Sequence, residues 1–273
     1  MIGTLLKHEA IRTRGIIAAI VGVAAALAAV GALLALTGWP VLAQLGLVMG
    51  LIGACGLVPA LQLGQAVDHW RSGYGRIGYF TQTLPVRGAR IYWAKLLWAA
   101  VVLLVALVAT LALVLLVLLG AAGLLGLTQA ELLVAIGDGM AEALALAPWL
   151  ALLAPVVLVL LYGSNTAMLW FAASIGSGQR FRSLGWGGPV LVWFGLYAVQ
   201  QVAMFALILA VPLGVGLDAS GGVGIQSVDL LQAMMTGAEP QVMPIGWLLV
   251  LLVSIPLLLW WTARAWDRKV SLA

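Results

Sequence analysis

Charge is what this sequence has least of. Only 8% of its 273 residues are Asp, Glu, Lys or Arg, where soluble domains carry about 25%. With 64% hydrophobic residues and a mean hydropathy of +1.16, a water-soluble fold of this length has too little polar surface to cover its apolar mass, so the bilayer is its solvent. Cysteine occurs once, at Cys55, which excludes an internal disulfide; its apolar surroundings predict a small core residue. Two separated histidines, His8 and His69, make a poor metal site without a cluster of Cys or carboxylates. No Gly-Lys pair occurs, which excludes a phosphate-cradling P-loop. Gly73, Gly75 and Gly78 spell GxGxxG-like text, but no strand precedes them, so a dinucleotide fingerprint fails its context test. His-Glu-x-x-His, Gly-x-Ser-x-Gly and a catalytic carboxylate pair are all missing, and no cofactor is expected.

What fills the chain is a series of long apolar runs. A transmembrane helix needs about 20 mostly apolar residues, and six runs meet that length: about Gly15 to Leu36, Val41 to Leu63, Ala94 to Leu119, Pro148 to Ala172, Pro189 to Leu213 and Gly246 to Ala263. The fold class is therefore all-α, a six-span polytopic membrane protein forming one transmembrane domain over residues 1–273. The first run is too long for a signal-peptide core and turns straight into the second through Thr37-Gly38-Trp39-Pro40, so no cleavage is expected.

Ionisable groups are absent from the middle of every run, which argues against a proton pump or voltage sensor. With six spans, all thirteen Lys and Arg fall on one side: Lys7, Arg12 and Arg14; Arg71, Arg76, Arg87, Arg90 and Lys95; Arg180 and Arg182; Arg264, Arg268 and Lys269. The positive-inside rule makes that side cytoplasmic, with both termini inside. The net charge of +4 thus tracks membrane sidedness rather than a nucleic-acid partner.

The connections carry their own patterns. Residues 1–14 are a cytoplasmic segment and 64–93 the longest cytoplasmic loop; 127–147 and 214–244 lie outside. Within the loop, Ile77, Phe80 and Leu84 share one face of a short helix at i, i+3, i+7 spacing; a basic loop anchored by aromatics is the plainer alternative. Outside, Thr128 and Glu131 form a capping box. Leu133, Ile136, Met140 and Leu144 follow near helical spacing, predicting an amphipathic surface helix. A second short outer helix is expected over 227–236, with Ser227 or Asp229 at its start and Gly237 at its end. Gly46, Gly50, Gly53 and Gly56 give small residues at three- and four-residue spacing on the second span, suited to close helix packing or a dimer interface. Asn165 and Thr166 of the fourth run, Gln200 and Gln201 of the fifth and Ser254 of the sixth are polar residues within the spans, lining a pathway or, more simply, bonding between helices.

At Asp68 to Lys95 the sequence resembles the membrane subunits, or permeases, of bacterial type-2 ATP-binding-cassette exporters. The resemblance runs through Asp68, Gly75, the Ile77 to Thr83 stretch, Leu84-Pro85, Arg87 and Lys95, and the Leu5 to Arg12 segment is similar to that family's entry helix. It implies that Arg76, Ile77, Phe80, Thr83, Leu84, Pro85 and Arg87 form a coupling helix contacting a separate ABC ATPase subunit. It also implies a second permease copy or paralogue, a translocation pathway between the two, and the bacterial inner membrane as location. The chain itself is then no enzyme. A non-transporting accessory or immunity protein is the alternative, and an integral membrane enzyme a weaker one.

Overall fold

The computed structural model describes residues 2–75, 86–217, 222–237 and 242–268. It is mostly helical, and six of its helices are long and apolar enough to cross a membrane. They are α1 (Ile2–Ala35), α2 (Pro40–Gly73), α3 (Gly88–Gly120), α5 (Leu150–Ile175), α6 (Gly187–Ala210) and α8 (Trp247–Arg268); α4 (Gln129–Leu146) and α7 (Leu230–Thr236) are the remaining α-helices among the described residues. The helices fall into two compact units divided between Gly139 and Met140.

The first unit packs α1, α2 and α3 together. The expected turn links α1 to α2: Gly38 takes φ +73°, a region glycine enters at no steric cost. Pro40 opens α2, where its missing N–H loses nothing. The glycine stripe of α2 is spent inside this unit. A Cβ on Gly31 of α1 would lie 2.5 Å from both the Gly46 carbonyl oxygen and the Gly50 Cα, and one on Gly50 would lie 2.7 Å from Val117 of α3. Backbone thus meets backbone across a seam lined by Ala24, Ala28 and Ala32, the packing that small residues permit in lipid. Gly56 alone faces open space. Cys55 is exposed, not in the core as its apolar neighbours suggested. One helical step of about 100° turns it off the face that Ala54, Leu57 and Val58 bury.

The first three helices are longer than the runs predicted. At 34, 34 and 33 residues each spans about 50 Å, well beyond a hydrocarbon core of about 30 Å. The surplus lies at the ends carrying Lys7 to Arg14, Asp68 to Arg71 and Arg90 to Lys95, since Ala35, Pro40 and Gly120 end in apolar sequence. The entry segment is accordingly the first turns of α1, continuous with the span.

In the second unit α5 packs against α8 and α6. Ala167, Met168 and Phe171 of α5 and Leu258 of α8 form its core, with Val192, Trp193 and Leu196 of α6 against it. Phe171 meets Trp261 edge to face at 5.6 Å. Between α6 and α8 the chain forms a small antiparallel sheet, β1 (Leu213–Leu217), β2 (Val223–Ser227) and β3 (Val242–Pro244), in the order β2-β1-β3. This departs from an all-helical chain. Leu-Gly-Val-Gly-Leu reads as loop because glycine is poor in strands, yet its apolar residues alternate on one face, and Val215 pairs with Ile225 and Met243. Ser227 closes β2, so Asp229 is the cap of α7, accepting from Gln232 N at 2.9 Å. Gly237 ends α7 at φ +70°, as expected.

Outside both cores the apolar surface is open. Along α6, Val190, Leu191, Phe194, Val199, Val202 and Phe205 are all exposed, and no residue in the most apolar stretch of that helix is fully buried. Monomeric soluble proteins rarely leave contiguous apolar patches above a few hundred Å². The surface is that of a multi-pass membrane protein.

Candidate functional site: a charge network at the base of the loop

The overlong ends of α1, α2 and α3 bring four charges from three helices together. Arg12 of α1 holds Asp68 of α2 with two parallel bonds, Nη1 to Oδ1 at 3.1 Å and Nη2 to Oδ2 at 2.7 Å. The same Nη2 donates to Glu9, one turn back on α1. The other Glu9 oxygen takes Lys95 Nζ of α3 at 3.0 Å. Lys95 also donates to Ser72 Oγ of α2 at 3.0 Å, and Ser72 in turn donates to the Asp68 carbonyl at 2.7 Å. A neutral strand of contacts runs alongside: Trp98 Nε1 of α3 donates to Thr13 Oγ1 of α1 at 2.9 Å, and Thr13 donates to the Glu9 carbonyl at 2.8 Å.

Every pair of the three helices is therefore tied. The planar Arg12 fork suits a carboxylate in a way an ammonium cannot. Two positive and two negative charges alternate along the chain Lys95–Glu9–Arg12–Asp68, so the network is neutral as a set. The Lys95 side chain is 3% exposed and that of Glu9 11%, and such burial is tolerated only when both charges are paired and hydrogen-bonded. Below them His69 is fully packed, edge to face with Tyr74 at 6.2 Å and with Tyr92 of α3 at 6.1 Å.

Both carboxylates are thus occupied by cations, and among the described residues no group of three or more His, Cys, Asp and Glu side chains comes together as metal ligands. What the arrangement can do is mechanical. Asp68 lies eight positions before residue 76 and Lys95 ten positions after residue 85, so the network fastens both stems of that segment to α1.

The residues expected to couple lie around this base. Arg76, Ile77, Phe80, Thr83, Leu84 and Pro85 fall outside the described residues. Arg87 is exposed at the entrance to α3, where its carbonyl receives the amides of Arg90 and Ile91. Of the polar residues within the spans, Gln200 of α6 donates to Ser164 Oγ of α5 at 3.1 Å, an interhelical bond of the plain kind. Asn165, next to Ser164, is half-buried, and Gln201 is turned outward and exposed. Sequence reasoning had marked Asp68 and Lys95 as motif positions and Glu9 and Arg12 only as parts of the entry segment. The available signal was opposite charges recurring at the basic ends of three apolar runs, with Glu9 and Arg12 at i, i+3.

Comparison with protein-family models, with curated proteins and with solved structures finds no match to this chain.

Proposed function

We propose that this chain is the membrane-spanning permease subunit of an ATP-driven exporter of the type-2 ABC class, working as a dimer with separate ATPase subunits on the side of its basic residues. The observation that carries the reading is the clamped loop. Asp68 and Lys95 bracket the 76–85 segment and are both held to α1 through Arg12 and Glu9. A push on that segment is then delivered to three membrane helices at once rather than lost in a slack connection. Together with the placement of all thirteen basic residues at one end of the spans, this supports a cytoplasmic partner pressing on the loop. The permease alternates between inward- and outward-facing states, and ATP-driven closure of the partner biases that equilibrium by contacting one state differently from the other. The chain has no P-loop and takes its energy from the partner.

Phe80→Ala tests it. A buried interface aromatic costs at least about 2 kcal/mol on truncation, so the substitution weakens recovery of the ATPase subunit by about 30-fold at equal permease expression. Unchanged recovery and unchanged stimulated hydrolysis would remove the coupling assignment.

A further inference from the structure

The helix α4 packs on almost nothing. Of its 18 residues only Leu132 is buried, and an isolated helix of that length is marginal in water. Its side chains nevertheless sort onto two opposite faces. Glu131, Asp138 and Glu142 stand at i, i+7, i+11 and align within about 40° of one another at 100° per residue. Leu133, Ile136, Met140 and Leu144 gather around the opposite direction. Leu133 is 47% exposed and Met140 61%, with Ile136 half-buried, so most of the apolar face is uncovered among the described residues.

The connections say what covers it. Residues 121–128 join α4 to the end of α3, and residues 147–149 join it to the start of α5. Three residues reach at most about 14 Å even when fully extended. Two consecutive spans leave the bilayer and re-enter it on the same side, so both ends of α4, a rod of about 27 Å, are tethered at one bilayer surface. Trp149, exposed where α4 gives way to α5, is the amphipathic aromatic that settles at the headgroup level.

We infer that α4 lies along the bilayer interface on the side away from the basic residues, its Leu133–Ile136–Met140–Leu144 face seated among phospholipid acyl chains below the headgroups and its acidic stripe turned to water. The occupant of this face is lipid rather than protein, because both tethers hold the helix at lipid depth and because the acidic stripe needs the water that the opposite orientation would deny it. The placement rests on the spans crossing a membrane and is independent of any ATPase.

The test uses the full chain with Cys55→Ser in phosphatidylcholine nanodiscs, spin-labelled singly through Met140→Cys, Leu133→Cys, Asp138→Cys or Glu142→Cys, with Val108→Cys in α3 as a reference for a span. Met140 and Leu133 labels should collide with oxygen several-fold more than with an aqueous nickel chelate, and Asp138 and Glu142 labels the reverse, giving a ratio that oscillates with a period of about 3.6 residues. Two independent pairs keep the result readable if one variant fails to fold. Aqueous exposure at all four positions, with Val108 in lipid, would overturn the interface placement alone. Met140 and Leu133 labels shielded from both reagents would overturn it in favour of a protein partner. An aqueous Val108 label would overturn the membrane reading and the placement with it.

Discussion

Arg12 and Asp68 stand fifty-six positions apart and meet as a two-point fork, with one guanidinium nitrogen shared with Glu9. The pairing fixes the start of α1 against the end of α2, and Lys95 extends it to α3. Removing one member leaves the other three with an uncompensated charge, which is the costly case for buried ion pairs. Lys95→Met should destabilise the first unit by about 3 kcal/mol, since it leaves Glu9 and Asp68 to share the single charge of Arg12. Glu9→Leu combined with Lys95→Met should recover most of that loss, because a buried pair replaced by apolar groups is close to neutral. Thermal unfolding of the purified single and double variants measures both. A double variant as unstable as the sum of the two singles would break the assignment.

The glycine seam makes a contrasting forecast within one helix. Gly46→Val places a branched side chain against the Gly31 carbonyl, where even a Cβ has only 2.5 Å. Overpacking of this sort costs about 1–3 kcal/mol, and here backbone rather than a flexible side chain must move. Gly56→Ala on the same stripe meets open space and should be neutral or slightly stabilising, as alanine is the better helix former. Detergent-resistance midpoints of the two variants should differ in that order. Equal loss in both would mean that the seam lies elsewhere.

The capping box of α4 predicts a pH dependence. The Thr128 amide donates to Glu131 Oε2 at 2.7 Å and the Thr128 hydroxyl at 2.9 Å. These bonds, the backbone one foremost, hold the Glu131 carboxyl below its ordinary range. A lowered folded pKa means the contribution is fully present at neutral pH and is lost as pH falls through that pKa. Amide exchange over 129–132, corrected for its intrinsic pH dependence, should lose protection in acid in the natural protein. Thr128→Ala should cost about 1 kcal/mol of cap stability at neutral pH and shrink the acid step only in part, because the backbone bond to Glu131 remains, whereas Glu131→Gln should abolish it. An acid step of undiminished size in Glu131→Gln would assign it to another group.

Legibility in the sequence followed the range of each interaction. The six apolar runs, the Gly38–Pro40 turn, the Thr128–Glu131 box and the Gly237 stop are local, and each was found where its own residues placed it. Helix length was not legible at the basic ends, because Lys7 to Arg14 and Asp68 to Arg71 look like loop when judged by hydropathy, although nothing in them breaks a helix. The partners of Gly46 and Gly50 were not legible either. Small-residue spacing declares a close approach without saying to what, and it is Gly31 and Val117 of the same chain. The charge network was least legible of all, since Arg12 with Asp68 and Glu9 with Lys95 are joined only by the fold.

The surplus length of α1, α2 and α3 has a mechanical corollary. Helices α1 and α3 run from apolar end to charged end with no glycine pair or proline hinge between the hydrocarbon and their ion pairs; α2 carries Pro59, nine residues before Asp68. Bound along its length by Arg12, Glu9, Lys95 and Ser72, the trio behaves as a stub with a fulcrum at the bilayer surface. A stub standing about 20 Å above the core and rocked by about 10° carries its tip about 3.5 Å and turns the buried segments by the same angle. Its stiffness comes from helical hydrogen bonds and its cross-bracing from four charges, so an ångström-scale displacement at the tip arrives among the lipids as rotation instead of dissipating in a bend.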